Sequence, residues 1–300
     1  MDRDLSALKN TAKDVQNRVN AFMGRRLDAM DDVVPSFKDA LRHALLLGGK
    51  RSRPLLVYVT GRALGAEDAA LDYAAAGVEC IHAYSLVHDD MPEMDNDALR
   101  RGQPTVHKKY GQATALLVGD TLQALAFEFL SSPASGIKPE NALELCSVLA
   151  RGAGYDGMCG GQAMDLYYEG KDITLDTLRE LHRRKTGALI RAAVQLGYTV
   201  AGLEDPRLCA ALDDYAADVG LAFQVWDDVL DVIGDTAVLG KNAGADIALH
   251  KSTYPALMGL EKAQELALAA RDRAVARLGD IPFDLSLLED FAFFTVSRDH

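Results

Sequence analysis

The sequence predicts an all-α fold, and three observations carry that reading. Alanine and leucine recur at three- and four-residue spacing in nearly every segment. Aromatic residues make up only 7% of the chain. The alternation of β-branched and polar residues that marks strands is almost absent. About ten to twelve helices are expected, most of them apolar enough to be largely buried. No linker, repeat or composition shift divides the 300 residues, so a single domain is read over 1–300.

Composition narrows the function. Apolar residues at 49% and charged residues at 25% are the balance of a folded globular protein. A formal net charge of −12 would repel a phosphate backbone, which argues against nucleic acid as a partner. Cys80, Cys146, Cys159 and Cys209 are far apart and form no CxxC pair, so they read as reduced thiols rather than disulfides or a zinc site. The opening MDRDLSALKN lacks the basic and apolar regions of a secretory signal. No stretch reaches about 18 uncharged apolar residues, so no membrane span is expected. A cytoplasmic protein is expected.

The elements follow in order. In ALRHALLL, Ala40, Leu41, Ala44, Leu45 and Leu47 line one helical face. Gly48-Gly49-Lys50-Arg51-Ser52-Arg53-Pro54 closes that helix and opens the next. Its glycines let the backbone approach a ligand, and Lys50 and Arg53 can reach phosphate oxygens, although the run alone is a weak signal. AGVECIHAYSLVHDD, TALLVGDTLQALAFEFL, LIRAAVQLGYTVAG and YAADVGLAFQVWDDVLDVI repeat the helical period. SSPASGIKPEN (131–141) and GDTAVLGKNAGAD (234–246) read as loops. Thr174 is an expected N-cap, with Thr177 where a capping box would place Glu. His182-Arg183-Arg184-Lys185-Thr186-Gly187 interrupts a helical pattern and offers an ammonium and a hydroxyl.

Two aspartate clusters sit where helices do not favour them. In HDDMPEMDND, Pro92 disfavours helical geometry at Met91, so Asp89 and Asp90 meet the negative end of their helix. Asp89 and Asp95 are about 240° apart on a helical wheel and converge only if the chain turns, which Pro92 allows. In DDVLD, Asp227 and Asp231 stand at i and i+4, about 5–6 Å apart at Cβ, and repel. Either cluster alone passes for solvated surface. Together, on apolar helices, they break the same local rule without local gain, and magnesium would compensate. Arg100 and Arg101 follow the first cluster closely, either to neutralise the aspartates or to reach phosphates bound there. Carboxylates for magnesium flanked by lysines and arginines suit one task, holding a diphosphate as it leaves.

The chain resembles the short-chain trans-isoprenyl diphosphate synthases, above all their farnesyl-producing bacterial members. GGKRSRP, AYSLVHDDMPEMDNDALRRGQPTVH, GDTLQALAF, GGQAMDL, HRRKTGALIRAAVQLG, FQVWDDVLD and GKNAGADIALHKSTYPALMGL appear in the family's order. The resemblance implies helices around a deep apolar cavity in a homodimer. It implies that Asp89, Asp90, Asp95, Asp227 and Asp231 bind three magnesium ions. Arg100, Lys185 and Lys241 would then assist the allylic diphosphate. Lys50, Arg53, His82 and Arg101 would bind isopentenyl diphosphate. Thr186 and Gln224 would lie near the reacting carbons, with Lys185 beside them. The implied reaction joins isopentenyl diphosphate to dimethylallyl and then geranyl diphosphate, giving farnesyl diphosphate.

Product length follows from geometry. Tyr84 and Ser85 lie about one turn before Asp89 and would floor the cavity, which favours a C15 product; Tyr84 as plain core filling is the alternative. The same reaction ending at C10 or C20 is the nearest rival. A terpene cyclase would not need the Lys50, Arg53 and His82 site. A noncatalytic partner subunit would be expected to have lost an aspartate motif, and both are intact. Trp226 packs either at the mouth or in the core. His88 is left out because magnesium prefers oxygen. Arg298 and His300 receive no role, since the terminal SRDH lacks the basic tail of some relatives.

Overall fold

The computed structural model describes residues 3–233, 252–279 and 281–298. Fourteen α-helices occupy them: α1 (Ser6–Asp28), α2 (Phe37–Leu46), α3 (Ser52–Ala63), α4 (Asp68–Asp89), α5 (Val106–Tyr110), α6 (Gln112–Leu130), α7 (Pro139–Ala153), α8 (Met158–Tyr168), α9 (Leu175–His182), α10 (Ala188–Val200), α11 (Pro206–Ile233), α12 (Tyr254–Met258), α13 (Leu260–Leu278) and α14 (Ser286–Thr295). The count exceeds the ten to twelve expected by two short helices, α5 and α12. The expected loop at 131–141 ends sooner, because Pro139 starts α7 with its φ already suited to a helix. Thr174 caps α9 as read, its hydroxyl accepting from Thr177 N at 3.2 Å. The loop read at 234–246 lies outside the described residues.

α4 is buried along most of its length, and such a helix belongs at the centre. α1, α2, α3, α6 and α10 all pack on it. Fully buried side chains such as Leu56, Ile81 and Leu122 fill this core, each contributing about 1.5–3 kcal/mol. α3 and α10 cross in close contact at Gly197, where a Cβ would lie 2.7 Å from Val57 O and 2.8 Å from Thr60 Cβ. A smaller core joins α9, α11, α12 and α13 through Leu178, Val225, Val229, Tyr254 and Ala267. α6 is the one described helix long and apolar enough to cross a membrane, yet it carries Asp120 and Glu128 and packs its buried face on α4.

Buried charges in the core are paired. Arg18 forks onto Asp72 at 2.6 and 2.8 Å, and Tyr58 donates to the same carboxylate. Arg51, in a left-handed conformation at φ 51°, gives one nitrogen to Glu79 at 2.5 Å and another to Leu45 O at 2.6 Å.

Candidate active site

The first aspartate motif forms where α4 stops. Asp89 is the last helical residue and Asp90 the C-cap. The chain then folds back: Met91 N donates to His88 O at 3.0 Å, and Asp95 N to Asp89 O at 2.9 Å. The turn at Pro92 thus returns Asp95 to Asp89. Burial, with Asp95 and Asp90 nearby, pushes the Asp89 carboxyl up to about 6, while Lys185 pulls it the other way. Burial raises the Asp90 carboxyl too, against its Arg100 partner.

A two-strand hairpin, Leu99–Arg100 with Gln103–Pro104, follows. The all-α reading did not anticipate it; its turn needs positive φ, supplied by Arg101 (54°) and Gly102 (75°). The turn sends two adjacent arginines apart. Arg100 grips Asp90 with Nε at 2.8 Å and Nη2 at 2.6 Å. Arg101 donates to Gly48 O and covers Gly49, where a Cβ would meet its guanidinium at 2.7 Å.

Arg101 there joins a cavity of about 650 Å3 lined by Lys50, Arg53, His82, Thr186, Gln224 and Asp227, among others. Its cations crowd one another. Burial, then Arg53, Arg101, Arg51 and Arg100, hold the His82 imidazole well below its ordinary range. Burial and Arg298 lower the Lys50 ammonium, and burial lowers the guanidinium of Arg53. Arg53 Nε is buried with no hydrogen-bond partner. Such a pocket is short of negative charge. Of the three cations in GGKRSRP, Arg51 is spent on Glu79.

A smaller cavity of about 130 Å3 adjoins it, lined by Asp165, Lys185, Thr186, Gln224 and Asp228. The break in helical pattern at His182 is a π-helical turn, Arg183–Gly187, a distortion that often marks functional sites. α8 supports it closely: a Cβ at Gly161 would lie 2.2 Å from Lys185 N. Lys185 Nζ stands 2.5 Å from Asp165 Oδ2. Thr186 Oγ1 donates to Gln224 Oε1 at 2.8 Å, Gln224 Nε2 to Asp228 Oδ1 at 3.1 Å, and Tyr254 N to Asp228 Oδ2 at 3.0 Å. Thr186 and Gln224 line both cavities, so the two meet at that pair.

The second motif ends α11. Asp228 and Asp231 are buried, and Asp227 Oδ1 lies 2.7 Å from Arg298 Nη1. The repulsion expected between Asp227 and Asp231 is thereby offset. Trp226 packs on the smaller core and donates from Nε1 to Arg298 O at 3.3 Å. Asp165 and Arg298 were missed from sequence. Asp165 had a signal in GGQAMDL, whereas nothing local marks Arg298. Lys241 and His300 lie outside the described residues.

At the expected floor, Tyr84 is buried with its Oη 2.9 Å from Cys159 Sγ. Ser85 turns back on its own helix, donating to His82 O at 2.9 Å. His88 stands edge-on to Tyr84 with ring centroids 5.6 Å apart, its Nε2 3.2 Å from Leu116 O.

The donor chemistry fits magnesium. The groups are carboxylate oxygens, crowded enough at Asp89 to resist ionisation. Among the described residues no three acidic, His or Cys side chains converge on one point. Magnesium takes one or two carboxylates and completes its shell with phosphate oxygens and water.

A helical scaffold with adjoining carboxylate-bearing and cationic cavities defines a class. The chain belongs to the polyprenyl synthetase family, whose profile matches residues 34–277. It is 52% identical over 265 residues to the farnesyl diphosphate synthase of Escherichia coli, covering 87% of this chain and 89% of the other. It is 49% identical over 285 residues to the farnesyl diphosphate synthase of Haemophilus influenzae, covering 95% and 96%. The geranyltransferase from Helicobacter pylori, complexed with magnesium and isoprenyl diphosphate, superposes with a TM-score of 0.82 at 33% identity, covering 99% of this chain and 97% of the other.

Proposed function

We propose that this chain condenses isopentenyl diphosphate with dimethylallyl and then geranyl diphosphate to give farnesyl diphosphate. The observation that carries the reading is the meeting of two cavities at Thr186 and Gln224, one cationic and one holding Lys185 and carboxylates. One diphosphate in each would bring an allylic carbon and a double bond together at that pair. The farnesyl diphosphate synthases at 49–52% identity support the choice of product.

Lys50, Arg53, His82 and Arg101 bind the isopentenyl diphosphate, whose charge relieves their crowding. Asp89, Asp90, Asp95, Asp227 and Asp231 hold magnesium, three ions in this reading. Bound magnesium supplies positive charge to the leaving diphosphate oxygens. Arg100, Lys185 and Lys241 add to that charge. Binding diphosphate there would loosen Arg100 from Asp90 and Lys185 from Asp165. The allylic C–O bond then breaks, the isopentenyl double bond attacks the cation, and a proton passes to the departed diphosphate. Thr186 and Gln224 orient dipoles toward the cation. Tyr84 and Ser85 limit the tail.

The protein acts as a homodimer in the cytoplasm in this reading. Exposed Leu116, Leu117 and Leu143 offer apolar surface for a second copy, and the four free cysteines suit a reducing compartment. The test is a product assay with isopentenyl diphosphate, magnesium and C5, C10 or C15 allylic starters. C15 from the first two and nothing from the third is expected. Cyclic products, or no condensation, would overturn the reading.

A further inference from the structure

We infer that Cys159 is a second determinant of product length, acting as a brace that holds the ring of Tyr84 in place. The inference rests on the reading of Tyr84 as the floor. It starts from a contact between two helices that share no sequence motif: Tyr84 Oη on α4 and Cys159 Sγ on α8, 2.9 Å apart.

Tyr84 is 4% exposed, and Cys159 is the only hydrogen-bonding partner of its hydroxyl among the described residues. The contact is part-buried, with Cys159 itself exposed, and a hydroxyl that loses its one protein partner turns toward another, so the contact fixes where the ring points. The ring makes a second contact as well. His88 stands at 80° to it, and His88 fits a notch in α6 at Gly119, where a Cβ would lie 2.0 Å from Nε2. The phenol therefore touches a thiol at its hydroxyl and an imidazole at its ring.

α8 is a fixed support for this brace. Gly161 packs directly on the backbone of Lys185, and Asp165 pairs with the Lys185 ammonium. The floor contact at Cys159 and the diphosphate-side contact at Asp165 are six residues apart on one helix, roughly 9 Å along its axis. On α4, Tyr84 and Asp89 are five residues apart, roughly 7.5 Å. Two helices thus each carry one contact at the floor and one at the charged end. Cys159 is a positioning residue in this scheme, since it acts on the tail through Tyr84.

The test removes the contact from each end and reads the ratio of C20 to C15 product, a quantity that general damage to the enzyme would not shift. Wild type, Cys159→Ala, Cys159→Ser, Tyr84→Phe, the Cys159→Ala/Tyr84→Phe double variant and Tyr84→Ala are supplied with geranyl diphosphate and excess isopentenyl diphosphate. Loss of one hydrogen bond should raise the ratio by about fivefold in Cys159→Ala and in Tyr84→Phe. The double variant should match either single, because both delete one interaction. Cys159→Ser should restore most of the wild-type ratio. If Tyr84→Ala lengthens the product while Cys159→Ala and Tyr84→Phe leave the ratio unchanged, the brace is refuted and the floor stands. If Tyr84→Ala also leaves the ratio unchanged, the floor reading itself fails. Should Cys159→Ala not fold, Tyr84→Phe decides alone, and a wild-type ratio there refutes the brace.

Discussion

Arg298 is a counter-ion of Asp227, with Nη1 2.7 Å from the carboxylate. The guanidinium is locked in place: Nε donates to Thr295 O at 3.0 Å, Nη2 to Phe223 O at 2.8 Å, and its carbon stacks 3.9 Å above the Phe223 ring. The last helix is thus pinned to the helix that carries the second aspartate motif. Arg298→Ala should lower the melting temperature of the metal-free protein, because it removes a buried guanidinium that pairs with Asp227 and donates to two backbone carbonyls. Magnesium with inorganic diphosphate should then raise the melting temperature more in the variant than in the wild type. Equal increments in thermal melts would show that Arg298 does not compete with metal for Asp227. Trp226, the one tryptophan in the chain, donates to Arg298 O, so its fluorescence offers a second view of the same contact.

Arg51 and Arg53 should separate cleanly. Arg51 is buried against Glu79, and truncating one partner of such a pair costs about 3–5 kcal/mol because the other charge is left unpaired. Arg51→Ala should therefore fail mainly in stability, seen by chemical denaturation. Arg53 crowds His82 and has an unpartnered Nε, so Arg53→Ala should keep or raise the melting temperature. It should raise KM for isopentenyl diphosphate about 10- to 100-fold, the worth of a charge-assisted hydrogen bond. A large stability loss in Arg53→Ala would contradict the division.

These two pairs also show what sequence could and could not reveal. The acidic ends of α4 and α11 were legible because adjacent aspartates at a helix C-terminus violate a rule that operates within a few residues. The turn at Pro92 was legible for the same reason. HRRKTG was visible as an interruption, but its π-helical form was not, and neither was the close approach of Gly161 to Lys185 from a different helix. Arg51 and Arg53 look alike in GGKRSRP; only the placement of Glu79 on α4 tells them apart. Arg298 pairs across a long stretch of chain, and the hairpin at 99–104 is too short for any periodicity to register.

His182 should add an acid limb to stability. Burial, with Lys185 adding to it against Asp165, lowers its imidazole to about 4. The unfolded chain binds that proton near pH 6.5, so between pH 6.5 and 4 the unfolded state holds more protons than the folded one. Stability from this residue is complete above pH 6.5 and is lost as pH falls toward 4. His182→Gln should reduce the slope of unfolding free energy against pH in that window by up to one proton. His82 is also depressed and should keep part of the slope. An unchanged slope in denaturant titrations of His182→Gln would place His182 outside the effect.

Asp89 should act with the opposite sign. Its carboxyl is raised to about 6, so the folded protein holds a proton that the unfolded chain releases near pH 4. Stability from this residue is present below pH 4 and is lost as pH rises through 6. Asp89→Asn removes the charge that burial, Asp95 and Asp90 oppose. The variant should therefore melt higher than wild type at pH 8, and the difference should vanish near pH 4. The same change removes a hard oxygen charge from the reading's metal site, so turnover should fall by about three orders of magnitude or more at pH 8, the scale of losing a main electrostatic stabiliser. A variant that is both more stable and inactive would mark Asp89 as held in an unfavourable place for chemistry. A variant that melts lower at pH 8, or that keeps its turnover, would mark it as structural instead.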